Sequence, residues 1–125
     1  MMKKHGWWII TLALIITFIA FLVVQANRPG KQDAFAQCVA ESGTKFYGAW
    51  WCPHCQVQKA MFGRSAKLLP YVECQTKGRE MLQVCIDADI QSFPTWDFPD
   101  GSRQVGELSF EEISAKTSCE VAPEV

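Results

Sequence analysis

The stretch Cys52-Pro53-His54-Cys55 carries the residues best suited to chemistry in this 125-residue chain. It follows the aromatic run Phe46-Tyr47-Gly48-Ala49-Trp50-Trp51 and precedes a segment with helical apolar spacing. Pro53 suits the first turn of a helix, which places Cys52 where backbone N–H groups lack partners. The positive end of the helix dipole and a further donor or cation at His54 both favour a Cys52 thiolate, the nucleophile of thiol–disulfide exchange. Cys55, one turn further in, suits the resolving thiol that closes on a mixed disulfide. The rival readings are a structural disulfide and half of a metal site. A zinc site needs about four ligands, and His54 lies between the cysteines and points elsewhere along the turn, so no metal is assigned. The haem-attachment pattern requires His directly after the second cysteine, where Gln56 stands. No cofactor is expected.

The elements that must hold this pair can be read around it. Asp33–Ser42 has helical spacing that stops at Gly43, and Thr44–Trp50 has the β-branched and aromatic composition of a buried strand. His54–Leu69 continues as a helix ended by Pro70, Tyr71–Cys74 is a short strand, and Lys77–Ala88 reads as a second long helix. Thr95–Pro99 and Ser102–Glu107 flank Asp100-Gly101, a strong hairpin signal. Ser109 caps a last helix, Phe110–Lys116, with Glu111 and Glu112 in its first turn. Trp50, Phe62 and Trp96 are assigned mainly to the core, and Trp51 and Phe93 to an exposed apolar groove beside the cysteines.

Ahead of this domain, Trp7–Val24 is 18 residues without a charge, just long enough for a hydrocarbon core of ~30 Å. Lys3 and Lys4 precede it, so the positive-inside rule predicts a cytoplasmic N-terminus. The expected organisation is a tail over 1–6, a transmembrane signal anchor over 7–24, a linker over 25–32 and the domain over 33–125. A cleavable signal peptide, cut after Ala26, is the alternative, and His5 before the anchor is given no role. Both readings export the domain to the extracytoplasmic or periplasmic side. It carries 8 Lys and Arg against 13 Asp and Glu, a net charge of −5. No basic patch exists to hold nucleic acid. Six cysteines, all after the anchor, suit an oxidising compartment.

The element order resembles the thioredoxin fold over essentially all of residues 33–116. The fold class expected is therefore α/β, a central mixed β-sheet flanked by helices and preceded by one transmembrane helix. Proteins of this fold carry a cis-proline facing the cysteine pair. The resemblance puts it at Pro94, within Ser92-Phe93-Pro94-Thr95 about 40 residues past the dithiol, with Phe93, Pro94, Thr95 and Trp51 as the substrate-binding residues. More narrowly, FYGAWWCPHCQVQKAMFG, YVEC and FPTW are similar to the thioredoxin-like domain that accompanies bacterial and plant vitamin K epoxide reductase homologues. There the domain is often fused to the membrane quinone reductase; here an anchor of its own is expected. Pro-His between the cysteines is also the dipeptide of DsbA-type oxidases, whose large helical insertion has no room here.

The resemblance implies a membrane-tethered oxidase of exported cysteine-containing proteins, itself re-oxidised by a quinone-linked membrane partner of the vitamin K epoxide reductase type. A monomer is expected. Six residues before the first cysteine, where thioredoxins bury an acid that assists proton transfer, stands Phe46, which weakens a reductant reading. The related domains carry cysteines at the positions of Cys74 and Cys85, read as structural; they lie 11 apart, a separation one bridge spans. Cys38 and Cys119 remain by elimination, and since four cysteines allow three pairings, the pairing stays open. Two rivals remain: a reductase or isomerase of the same fold, and a metal-carrying or adhesive module without enzymatic activity.

Overall fold

The computed structural model describes residues 3–123, with side chains from Gly6 onward. Met1, Met2, Glu124 and Val125, the outer ends of the expected tail and domain, and the side chains of Lys3, Lys4 and His5 lie outside the described residues.

The apolar segment is one helix, α1, Lys3–Ala26, longer at both ends than the expected 7–24 because nothing between Lys3 and Ala26 breaks it. Its stretch Gly6–Ala26 has a mean hydropathy of 2.7 and none of it is buried. At ~1.5 Å per residue such a helix matches the ~30 Å of a bilayer core, which makes it a candidate membrane span; an N-terminal signal sequence has the same properties. The hydroxyls of Thr11 and Thr17 donate to carbonyls of their own helix, so neither presents an unpaired donor to an apolar surround.

The domain that follows contains α2 (Asp33–Glu41), β1 (Lys45–Gly48), α3 (Pro53–Phe62), a 3₁₀ segment (Gly63–Leu68), β2 (Tyr71–Glu73), α4 (Gln83–Asp87), β3 (Thr95–Asp97), β4 (Arg103–Val105) and α5 (Phe110–Thr117). The sheet order is β2-β1-β3-β4. β1 and β2 are parallel, β3 runs antiparallel to β1, and β4 pairs antiparallel with β3. Side chains alternate across a strand, so Phe46 and Tyr47 face opposite sides. Phe46 joins Trp96, Phe98, Phe35, Phe62 and Ile113 in the larger core, where its ring stacks on Trp96 at 4.4 Å. Tyr47 joins Ile90, Cys74 and Cys85 in a smaller core on the other face. A mixed sheet with helices on both faces and the connection βαβ followed by a β-hairpin and closing helix is the thioredoxin fold.

Several elements depart from the sequence reading. The helix expected over His54–Leu69 stops at Phe62, where Gly63 takes φ +55° and the chain tightens into the 3₁₀ segment. Only Gln83–Asp87 of the expected helix Lys77–Ala88 is helical. Before it the chain doubles back: Gln75 bridges Met81, Thr76 Oγ1 accepts the Glu80 N–H, and Arg79 adopts φ +65°. A bond between Cys74 and Cys85 anchors both ends of this turn, and side chains that looked helical at their spacing belong to a loop. The segment expected as a linker is docked at its end. The Gln32 N–H donates to Ser65 Oγ, and the Gln32 amide exchanges two hydrogen bonds with the Ala122 backbone. α5 begins with a full capping box of Ser109 and Glu112, a local signal that sequence shows directly.

Candidate functional site

β1 ends at Gly48 and the chain turns through Ala49-Trp50-Trp51 before α3 begins at Pro53. Proline at the first helical position leaves its missing N–H without consequence. Cys52 is therefore the residue that caps α3. Its Sγ accepts the Cys55 N–H at 3.2 Å, so the sulfur stands where a capping oxygen would stand. Cys55 follows one turn later and is completely buried, whereas Cys52 is 4% exposed. Both are thiols in this structure. Burial first, and then the hydrogen bond with Cys52, push the Cys55 thiol up to about 12, while a backbone hydrogen bond from Ala49 and the Lys59 ammonium act the other way.

Phe93 packs against the small cluster of Ala49, Cys52 and Cys55, and the Phe93–Pro94 peptide is cis. Phe93 has no backbone hydrogen-bond partner among the described residues, which leaves its peptide groups open beside the dithiol. Pro94 and Thr95 both lie inside the fold. Pro94 is fully buried and its carbonyl accepts the Gly106 N–H; Thr95 is buried and its hydroxyl donates to Ser92 O. Their side chains shape the turn from within and do not line its surface. The reason is the register: Thr95 pairs with both Tyr47 and Val105, in the middle of the sheet.

Trp51 and Phe93 meet edge to face at 6.4 Å between centroids. The Arg79 guanidinium lies over the Trp51 ring, 4.6 Å from its centre, and the Trp51 Nε1–H donates to Gln75 Oε1. Trp50, expected in the core, is instead 38% exposed, with Lys77 4.7 Å above its ring and its Nε1–H donating to Thr76 O. Both tryptophans are held by the turn that Cys74 and Cys85 anchor, which is why an aromatic run could leave the core. Phe62 and Trp96 are buried.

His54 is exposed on the first turn of α3, and its Nδ1 lies 2.7 Å from Glu107 Oε1. An exposed pair of this kind contributes little to stability, but it fixes which way the ring faces. Glu107 was not singled out from sequence, since it lies 53 residues away with no local signal. Gln58 was also missed. Fully buried, it donates to Leu108 O at 3.0 Å and accepts the Leu108 N–H at 2.7 Å, tying α3 to the loop between β4 and α5. The remaining cysteines form two bonds, Cys38–Cys119 and Cys74–Cys85, 81 and 11 residues apart in sequence. Among the described residues no three His, Cys, Asp or Glu side chains gather where a metal could be held.

A thioredoxin fold whose Cys-X-X-Cys pair caps the helix after the first strand, with a cis-proline turn against it, defines a class of dithiol domains. The thiol-disulfide oxidoreductase LTO1 of Arabidopsis thaliana is 45% identical to this chain over 89 residues. That match takes in 67% of this chain and 23% of the plant protein, so the chain spans under a quarter of the length of the relative it matches. No family model matches the chain. The similarity supports a redox function for a thioredoxin-like domain of this kind.

Proposed function

We propose that this protein is a membrane-anchored, extracytoplasmic thiol–disulfide oxidoreductase that passes a Cys52–Cys55 disulfide to exported cysteine-containing proteins. The observation that carries the reading is the pairing of a capping sulfur with a sealed one. Cys52 Sγ sits at the start of α3 and receives the Cys55 N–H, while Cys55 is closed off beneath it. In the oxidised form a substrate thiolate attacks Cys52 Sγ, the Cys52–Cys55 bond breaks, and Cys55 leaves and takes up a proton. A second substrate thiolate then attacks the substrate sulfur of the mixed disulfide. The substrate departs oxidised, and both cysteines are left reduced. The free peptide groups of Phe93 suit an extended substrate segment that pairs as an added strand, with Trp51 and Phe93 as its apolar floor.

Oxidation is favoured over reduction by the Pro53-His54 dipeptide between the cysteines, which is similar to that of DsbA-type oxidases, and by Phe46 in the place where thioredoxins bury an acid. The pair must then be re-oxidised, and the similarity of its motifs to domains that accompany vitamin K epoxide reductase homologues supports a quinone-linked membrane partner of that type. α1 would tether the domain beside such a partner, N-terminus in the cytoplasm.

The test is the reduction potential of Cys52–Cys55 in the full chain in detergent micelles, equilibrated with glutathione buffers. A value near the ~−120 mV of DsbA supports the oxidase reading. A value near the ~−270 mV of thioredoxin reverses the direction and makes the protein a reductase or isomerase.

A further inference from the structure

Breaking and remaking the Cys52–Cys55 bond moves a proton as well as electrons. Cys55 leaves as a thiolate and must be protonated; before it can close the bond again, the same proton must go. Cys55 is completely buried and its thiol is pushed up to about 12. Phe46, which stands where an acid would otherwise lie beneath the pair, is buried against Trp96 and Tyr71 and has no proton to give.

The neighbouring strand supplies what Phe46 does not. In the parallel register Phe46 lies opposite Tyr71 and Gly48 opposite Glu73. Residues two apart share a face, so Tyr71 and Glu73 both point to the side of the sheet where α3 packs. Gly48 makes the space: a β-carbon there would lie 2.9 Å from Cys55 Sγ, 2.8 Å from the Tyr71 ring and 3.3 Å from its hydroxyl. The thiol and the phenol therefore border the same gap over one glycine. The Tyr71 hydroxyl donates to Glu73 Oε2 at 2.9 Å. Glu73 Oε1 is held by the N–H groups of Trp50 and Gln75, which fix the carboxylate next to the turn that carries Cys52. The Lys59 ammonium lies 3.4 Å from the centre of the Tyr71 ring. The titratable or charged groups that act on Cys55 and Tyr71 are thus Cys52 and Lys59 from the α3 side and Glu73 from β2; the β3 side presents Phe93, Pro94 and Thr95.

We propose that Tyr71 and Glu73 carry the proton of Cys55, the Tyr71 hydroxyl exchanging it with the thiol and the Glu73 carboxylate receiving it through Tyr71. The proposal rests on the redox reading of Cys52–Cys55 but not on the direction of electron flow. In closure, the Cys55 S–H proton passes to the Tyr71 oxygen as the Tyr71 O–H proton passes to Glu73 Oε2. The Cys55 thiolate then attacks Cys52 Sγ in the mixed disulfide, the Cys52–Cys55 bond forms, and the other sulfur leaves as a thiolate. The result is a disulfide, a protonated Glu73 and a neutral Tyr71. In opening, each step reverses. Glu73 acts through Tyr71 and is a positioning residue; Tyr71 is the group beside the reacting sulfur.

The experiment follows reduced full-length protein in micelles reacting with oxidised glutathione, quenched in acid and resolved by intact mass from pH 6 to 10. The first phase is attack by Cys52 to give the mixed disulfide, and the second is closure by Cys55. Glu73→Gln and Tyr71→Phe are each expected to slow closure at least about ten-fold near neutral pH and to make it rise steeply with pH, with the first phase unchanged. Because the two residues act in series, the double variant should close no more slowly than the slower single variant. Closure within about two-fold of the unaltered protein, equal slowing of both phases, or a double variant slowed by the product of the two would each overturn the relay. Tyr71→Phe removes one oxygen and leaves the Glu73 contacts to Trp50 and Gln75, so it carries the test if Glu73→Gln disturbs that turn. An unaltered protein that attacks glutathione but never closes overturns the redox reading itself; normal closure with unaffected variants overturns the relay alone.

Discussion

At the scale of single residues, Cys52 and Cys55 differ by what surrounds two identical side chains. Cys52 caps a helix and meets an amide donor, while Cys55 is one turn deeper and completely buried. Replacing Cys52 by Ser is expected to abolish oxidation of a reduced test protein. Cys55→Ser should instead trap a mixed disulfide at Cys52, visible as a mass adduct on non-reducing separation; retained turnover in Cys52→Ser would sink the assignment of the nucleophile. A second expectation concerns pH. The Cys55 thiol is raised in the folded dithiol to about 12, whereas an unfolded thiol titrates near ~8.5. The unfolded state therefore loses its proton first, and stability from this group is fully present below ~8.5 and lost as pH rises toward the folded value. The oxidised protein has no such thiol. Melting of the two forms across pH 8 to 11 should show the reduced form losing stability faster; parallel curves would contradict the burial of Cys55 as the cause.

At the scale of elements, the junction of β1, α3 and β2 carries the site, and Gly48 of β1 lies against Cys55 of α3 and Tyr71 of β2. Gly48→Ala puts a methyl group within 2.8–2.9 Å of the Tyr71 ring and Cys55 Sγ, and such overpacking costs about 1–3 kcal/mol. Denaturant unfolding should report that loss, and closure by Cys55 should slow with it. Much of this junction was legible in the sequence, because Pro53 at the first helical position and the aromatic run before it are local signals. The helix expected at Lys77–Ala88 was not, because apolar spacing cannot distinguish a helix from a turn whose ends are tied by Cys74–Cys85. For the same reason Trp50 read as core: its exposure is decided by Lys77 and Thr76, which arrive from that turn. Tyr71 and Glu73 carried a weaker signal, two polar-tipped residues at strand spacing after the dithiol helix.

At the scale of the whole molecule, the Cys38–Cys119 bond joins α2 to the end of α5 across 81 residues. Its two sulfurs flank the larger core, where α2, the 3₁₀ segment and α5 meet. A loop of that length constrains the unfolded chain enough to contribute about 4 kcal/mol on the chain-entropy model. The Cys38→Ser/Cys119→Ser double variant should therefore unfold at markedly lower denaturant, with the Cys52–Cys55 potential unchanged. A shifted potential would mean that this bond takes part in electron transfer and is more than a staple. Gln32 ties the end of the stretch after α1 to the domain through its contacts with Ser65 and Ala122.

The sequence by itself determined the apolar helix, the order of strands and helices, and the place of Cys52 and Cys55 at the junction of a strand and a helix. Each of these is written in neighbouring residues: a run without charge, a period of two or of 3.6, a proline and a cap. Only the tertiary structure decided which groups face the buried thiol, which tryptophan stays at the surface, that Thr95 turns inward, and that Glu107 meets His54. Those facts depend on strands and turns brought together from 23 to 53 residues apart, and pairings at that distance leave no periodic trace in a single chain.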